Sequence, residues 1–303
     1  MITPYTLGNT TWLDIHEPTR EEVTALIERF GISAQSAEDL LAPTPGNQVH
    51  KTKNSVHLTL HFPALRHSHR TSMQQEIDML ILEHTVITCR YDSVDALDSL
   101  AKQAETLAAT TESPLPNGVA VAAWILSKLY HSLGHEIGAL EDSLQELEGP
   151  MFTSREHYVV QQLSRLSRQL ITCRKTLATH TLVLKDVFEY VITVFGPSHH
   201  RVLNDVRAQH DKLFNRLTAV HELLLEIRNT NDSLLSLRQS STMQSLTFIT
   251  MLVGTLLALY DLLTLQTLGD FIPGTEHDMV VAIGIYLFFI GGMIVWARTR
   301  RWI

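Results

Sequence analysis

The chain has 303 residues, a formal net charge of −8, 45% apolar residues and only 18% charged residues. That balance excludes an intrinsically disordered chain and argues against nucleic acid as a partner, and two cysteines, Cys89 and Cys173, are too few for a disulfide framework. The apolar residues are unevenly spread: residues 239–260 and 279–297 carry no charge, which excludes a purely soluble globular protein.

In chain order, the first eleven residues lack a basic segment leading into an apolar core, so no signal peptide is expected there. Strands are expected at 11–15 (TWLDI), 56–62 (VHLTLHF), 77–82 and 85–90, with a turn at Glu83 and His84. Thr19, followed by Glu21 and Glu22, opens a helix that Gly31 ends. Residues 34–41 form a short helix stopped by Pro43 and Pro45. A helix over 93–109 completes an α/β domain, residues 1–110. Beyond Pro114 and Pro116 strand signals vanish. Helical stretches over 118–148, 154–193 and from 198 onward follow, punctuated by Pro150 and Pro197, so that 111–197 reads as long cytoplasmic helices. The last stretch has no breaker from Ser198 to Leu265. One helix of that length is about 100 Å long, and it must pack in a bundle or oligomer. The fold class is α+β followed by long helices and two C-terminal transmembrane helices.

The first span runs over about 243–265, continuing the stalk of 198–265, and the second over 279–297. The loop between them, 266–278, carries Asp270, Glu276 and Asp278 and no Lys or Arg, whereas the tail 298–303 is basic and Arg238 precedes the first span. The positive-inside rule then places both flanks in the cytoplasm and the acidic loop outside. Residues 1–238 lie on the reducing side, which fits the sparse cysteines.

Counting sevens along the last helix, Ser233, Ser240, Thr247, Gly254 and Asp261 share one position. Asn229, Ser236, Met243, Thr250, Leu257 and Thr264 share the position three residues on. A small and polar stripe therefore runs through an apolar span, with Glu222 and Glu226 upstream. Such a stripe must face protein or water, and a heptad spacing calls for copies around a common axis. That is the geometry of a pore, in which carboxylate rings attract cations and rings of Met or Leu close by dewetting. The competing reading is close helix packing through small residues. It covers Thr247, Thr250 and Gly254 but not Asp261, which is costly against lipid.

Several short motifs, weak singly but specific in order and spacing, resemble the CorA superfamily of divalent-cation channels and transporters, including its ZntB branch. They are Trp12-Leu13-Asp14 with Pro18-Thr19 and Glu22, Gly31-Ile32-Ser33, Glu38-Asp39-Leu40-Leu41, Glu76-Ile77-Asp78 with Val86-Ile87-Thr88, Asn204-Asp205-Val206, Met243-Gln244-Ser245-Leu246-Thr247, Ile272-Pro273, and Arg300-Arg301-Trp302-Ile303. The resemblance covers nearly the whole chain. It implies a homopentameric funnel in the lipid bilayer of a bacterial inner membrane, moving a divalent metal cation of the Mg2+ or Zn2+/Co2+/Ni2+ class. The pore-lining positions it implies are Asn229, Ser240, Met243, Leu246 or Thr247, Thr250, Gly254, Leu257 and Asp261. The family's Gly-Met-Asn signature is replaced by Thr264-Leu265-Gln266. Gln266 keeps a carboxamide at the aligned asparagine, and a ring of Asp261 carboxylates is a substitute filter. Asp270, Glu276 and Asp278 would concentrate cations at the outer mouth. Asp205 matches the stalk aspartate of magnesium-gated members, but the facing segment, residues 64–69, offers no carboxylate.

The chain has 16 histidines, and imidazole suits zinc, nickel and cobalt better than magnesium. His57 and His61 fall on one face of a strand. His67 and His69 flank Ser68 and are candidate metal ligands beside Asp205. His131, His135, His157, His180, His210 and His221 read as ordinary surface or interface residues, and the acidic run Glu141, Asp142, Glu146 and Glu148 as a solvated face. With no phosphate loop, nucleophile elbow or HExxH, an enzyme is not expected, and no cofactor beyond a transported or regulatory cation. The remaining alternatives are a divergent non-selective or efflux channel and a membrane scaffold without transport.

Overall fold

Short runs of β-branched and aromatic residues in the first ninety positions build a six-stranded mixed sheet: β1 (Ile2–Leu7), β2 (Thr10–His16), β3 (Gln48–Thr52), β4 (Ser55–Pro63), β5 (Gln74–Ile81) and β6 (Thr85–Arg90). The computed structural model describes residues 1–64, 74–108, 115–153, 156–267 and scattered positions from 284 to 298; side chains near the end of the last long helix are described through Asp261, Leu259 excepted. The chain divides into two compact units, Met1–Ile227 and Arg228–Ile303.

The strand order is β1-β2-β6-β5-β4-β3. β2 and β6 pair in parallel, and every other neighbouring pair is antiparallel. The four strands expected from sequence are present, and β1 and β3 are additional. Both additional strands are edges, so each is half exposed and carries no apolar run.

On one face, helices α1 (Arg20–Phe30) and α2 (Ala34–Asp39) bury Val23, Leu26, Ala37 and Leu40 against Leu13, Ile15, Leu80, Ile87 and Cys89. The α1 boundaries follow from local chemistry. Thr19 Oγ1 accepts from the Glu22 amide at 3.2 Å, and Glu22 Oε2 accepts from the Thr19 amide at 3.0 Å, a reciprocal capping box. Gly31 ends the helix at φ 66.

α3 (Asp95–Ala108), α4 (Gly118–Gln145) and α6 (Glu156–Phe195) pack against the sheet from β1 to β3. With helices on both faces, β4 is buried at almost every residue, which explains its continuous apolar pattern. Gly118 sits against the β5–β6 connection: its amide donates to Glu83 O at 2.8 Å, and a Cβ there would lie 1.9 Å from Leu82 O. The expected helix over 118–148 ends at Gln145, and a separate short turn, α5 (Glu148–Met151), follows. Pro150 has no amide to continue the ladder. A 3-10 turn at Pro197–His199 then leads into α7 (His200–Thr267), 68 residues long.

The motif residues near the start of the chain serve the fold. Trp12 Nε1 donates to Thr88 Oγ1 at 2.9 Å, Thr88 Oγ1 donates to Asp14 Oδ1 at 2.7 Å, and Arg90 Nη2 donates to Asp14 Oδ2 at 3.0 Å. Arg90 also pairs with Asp98 of α3 at 2.7 Å. This buried network joins the parallel pair β2–β6 to α3.

Candidate functional site

The seam residues lie on α7. From Met243 to Tyr260 most of its large apolar side chains are exposed, Met243 at 58%, Ile249 at 56%, Leu256 at 53% and Tyr260 at 64%, with Phe248 half-buried. A helix apolar on all sides belongs in a core or in a membrane. Among the described residues this is the one helix long and apolar enough to cross a membrane, and its apolar window is unburied. Asn229, Ser240, Met243, Leu246, Thr247, Thr250, Gly254, Leu257 and Asp261 are all exposed within the second unit. Eighteen residues separate Met243 from Asp261, about 27 Å along a helix, close to the ~30 Å of bilayer hydrocarbon.

The hydroxyls on this segment are turned into their own helix. Thr247 Oγ1 donates to Met243 O at 2.8 Å, Thr250 Oγ1 to Leu246 O at 2.9 Å and Ser245 Oγ to Ser241 O at 3.1 Å. Each proton is thereby committed, and what the hydroxyl offers outward is oxygen lone pairs only. Such a surface accepts hydrogen bonds from the water shell of a cation.

The other expected site residues are placed as follows. Gln266 is helical in its backbone, and its side chain lies outside the described residues. Asp270, Glu276 and Asp278, His67 and His69, and most of the second span with the basic tail also lie outside them. Asp205 is exposed on α7 and lines a groove with Asn117, Trp124, Ser198, His199 and Gln209, in which no second carboxylate stands among the described residues. Glu141, read as part of a solvated acidic face, takes a paired contact from Arg216 at 2.9 Å. Among the described residues, no group of three or more His, Cys, Asp or Glu side chains could hold a metal ion.

Two histidines depart from the surface reading. His180 and His210 are buried, at 0% and 1% exposure. His180 Nε2 donates to His61 O at 2.8 Å and its Nδ1 faces Tyr130 Oη at 3.0 Å, while His210 Nε2 meets Leu177 O at 2.9 Å. These bonds join α4, α6, α7 and β4. Burial pushes the His180 imidazole down to about 3, so it stays neutral. His61 and His57 share a face as expected. The hydrogen bond that His61 donates to the Glu76 carboxylate holds its imidazolium above the usual histidine range against the opposing effect of burial. Sequence reading passed over His50, whose signal is positional: it stands directly opposite His57 in the β3–β4 hairpin.

Comparison with known proteins gives a consistent relationship. Residues 8–256 match the family described as CorA-like Mg2+ transporter protein. The chain is 20% identical over 243 residues to the cobalt/magnesium transport protein CorA of Methanocaldococcus jannaschii, covering 79% of this chain and 74% of that protein. The complete structure of the magnesium transporter CorA from that organism superposes with a TM-score of 0.77 at 17% identity, covering 97% of this chain and 92% of that one. The full-length CmaX protein gives a TM-score of 0.68 at 18% identity, over 97% and 88% of the two chains. The cytoplasmic domain of ZntB from Vibrio parahaemolyticus gives 0.55 at 13% identity, over 76% and 88%. At these identities the structural likenesses establish the fold.

Proposed function

We propose a transport mechanism that starts from one fact: this chain belongs to the CorA-like Mg2+ transporter family, whose members are membrane transporters of divalent cations and not enzymes. The protein moves a divalent metal cation along an axis formed by the α7 helices of five identical subunits. The carrying observation is the polar seam from Asn229 to Asp261 on a helix whose apolar segment is unburied all round. Five copies satisfy both facts at once: the seam faces a shared aqueous axis and the remaining circumference faces lipid.

Along that axis, Thr247 and Thr250 present acceptor oxygens to the hydration shell, and Gly254 leaves room for it. Met243, Leu246 and Leu257 form constrictions that exclude water when closed. Asp261 makes a ring of carboxylates near the outer end, where this sequence has Thr264-Leu265-Gln266 in place of Gly-Met-Asn. Oxygen donors of this charge hold a divalent ion more tightly than carboxamides do. Gln266 shares in selection, and Asp270, Glu276 and Asp278 raise the local cation concentration at the mouth. Both termini lie in the cytoplasm of a bacterial cell whose inner membrane the chain spans twice. Asp205 shares its groove with no second carboxylate among the described residues, and the sequence of residues 64–69 offers none, which argues against magnesium gating at this position. The departure at Thr264–Gln266 favours, as a second reading, a conduit that has lost selectivity or works in efflux.

The test is flux of Mg2+, Zn2+, Co2+ and Ni2+ into liposomes holding the full chain, with a pH gradient on and off. One carboxylate facing a cation at 4 Å contributes about 4 kcal/mol per unit charge at an effective dielectric of 20. Asp261→Asn is therefore expected to lower divalent flux at least about tenfold, a change of ~1.4 kcal/mol. Unchanged flux and ion order in Asp261→Asn would sink the carboxylate ring, and a mass other than that of five subunits would sink the axis.

A further inference from the structure

A groove of about 420 Å3 runs between α4 and the part of α7 that belongs to the first unit, Met1–Ile227. Contacts advance together along the two helices. Tyr130 meets His210 with ring centroids 5.5 Å apart. A Cβ added at Gly134 would lie 3.5 Å from Leu213 Cδ1, and one at Gly138 would lie 3.1 Å from Arg216 Nη2. The helices therefore run side by side in the same direction, and each turns one stripe into the groove. Lys128, His131 and His135 form the stripe of α4, and Gln209, Lys212 and Arg216 that of α7, at the same intervals of three and four residues.

The lining is one-sided in charge. Lysine and arginine are cations at neutral pH, and among the described residues the groove holds Lys128, Lys212 and Arg216 and no Asp or Glu, in a chain whose net charge is −8. Arg216 is fixed: Nε and Nη2 donate to Glu141 Oε2 at 3.2 and 2.9 Å, and Nη1 donates to Gly134 O at 3.3 Å. Glu141 offsets that charge without lining the groove. Lys128 and Lys212 are exposed and make no ion pair among the described residues, so their two charges, one from each wall, are not offset. Between them the buried Leu213 and Tyr130 give an apolar floor. On the rim the exposed rings of His131 and His135 stand 4.6 Å apart at 74°. Their flat faces are open to stacking whichever nitrogen carries the proton.

We propose that this groove binds a soluble nucleotide through its polyphosphate, with Lys128 and Lys212 gripping the phosphates from opposite walls and the His131–His135 rings receiving the base. Ammonium groups on flexible stems serve phosphate as mobile point charges, and two of them facing each other suit a run of phosphates. Bases stack on imidazole as on other aromatic side chains. The volume falls within the roughly 300–1,000 Å3 of small-molecule sites, and the apolar floor with a few convergent polar groups is their usual lining. A lipid headgroup carries the same phosphate chemistry but no base, and the base is what separates the two sources. Occupancy would bridge α4 and α7 through the two lysines. The site therefore ties nucleotide level to the stiffness of the contact between these helices, whichever ion travels along α7.

The test is calorimetric titration of the full chain in detergent with ATP, tripolyphosphate and glycerol 3-phosphate, in EDTA so that no divalent ion carries the anion to the transport axis. Wild type is expected to bind one ATP per subunit, more weakly as salt rises. Lys128→Gln and Lys212→Gln are each expected to weaken ATP about tenfold, which is about 1.4 kcal/mol. Lys102→Gln, which removes an exposed lysine of α3 outside the groove, is expected to bind as wild type does. His131→Ala is expected to weaken ATP and leave tripolyphosphate unchanged. Absence of saturable ATP binding in the wild type would overturn the proposal, as would an affinity unchanged in both groove-lysine variants. Tripolyphosphate or glycerol 3-phosphate bound as tightly as ATP would overturn the assignment to a nucleotide. The wild-type readings need no variant to fold, and none of them depends on flux.

Discussion

Acidification should weaken the first unit, Met1–Ile227, through His180, and the size of the effect follows from its surroundings. Its imidazole is pushed from 6.5 to about 3, first by burial. The unfolded chain therefore takes up a proton near pH 6.5 that the folded chain refuses, and stability falls as pH drops below that value. Each pH unit costs about 1.4 kcal/mol, so at pH 5 the loss is about 2 kcal/mol. His61, whose backbone carbonyl receives the His180 proton, has the opposite sign. Its raised value means that its ion pair with Glu76 contributes fully below the unfolded value and is lost as pH rises through the folded one. The two residues together give a stability maximum near neutrality, and only the acid limb belongs to His180. The assay is unfolding of the full chain in detergent from pH 7 to pH 4.5, wild type against His180→Gln. At pH 7 the variant is less stable, because Tyr130 and the His61 carbonyl lose well-placed partners. The gap should narrow by about 2 kcal/mol between pH 6.5 and pH 5. A gap that stays constant with pH would refute the assignment of the acid limb to His180.

Two further outcomes follow from the geometry. Asp14→Ala leaves Arg90 buried with only the half-exposed Asp98 as a charged partner, and is expected to cost about 3 kcal/mol in denaturant unfolding; a loss below about 1 kcal/mol would mean that the buried network does not hold the parallel pair together. Leu257→Ser replaces a proposed apolar constriction with a wettable one, and is expected to raise divalent flux in liposomes without changing the order of ions. Flux equal to wild type would remove Leu257 from the proposed gate.

The motif residues near the start of the chain carry the family resemblance, yet Trp12, Asp14 and Thr88 bond to one another and to Arg90 inside the domain. They are read easily from sequence because a buried polar network tolerates few replacements, and that constraint concerns folding. The proposed transport residues are of another kind. Ser240, Thr247, Thr250 and Gly254 are common residues, legible only as a heptad count, because what distinguishes them is where neighbouring copies would stand.

Local chemistry was enough for much of this protein. The Thr19–Glu22 capping box, Gly31 and Pro197 mark helix ends through bonds reaching only a few residues, and a long charge-free run announces a candidate span by its length alone. Strands β2, β4, β5 and β6 were legible because burial concentrates apolar residues in them. The edge strands β1 and β3 were not, since one side of each meets solvent or a loop and leaves no pattern. Tertiary structure alone decided that β2 lies beside β6, that His180 and His210 are buried between helices, and that Lys128 of α4 and Lys212 of α7 line one groove. Each of these joins side chains by a pairing or crossing whose register is set by the packing of the whole domain, and no spacing along the chain encodes it.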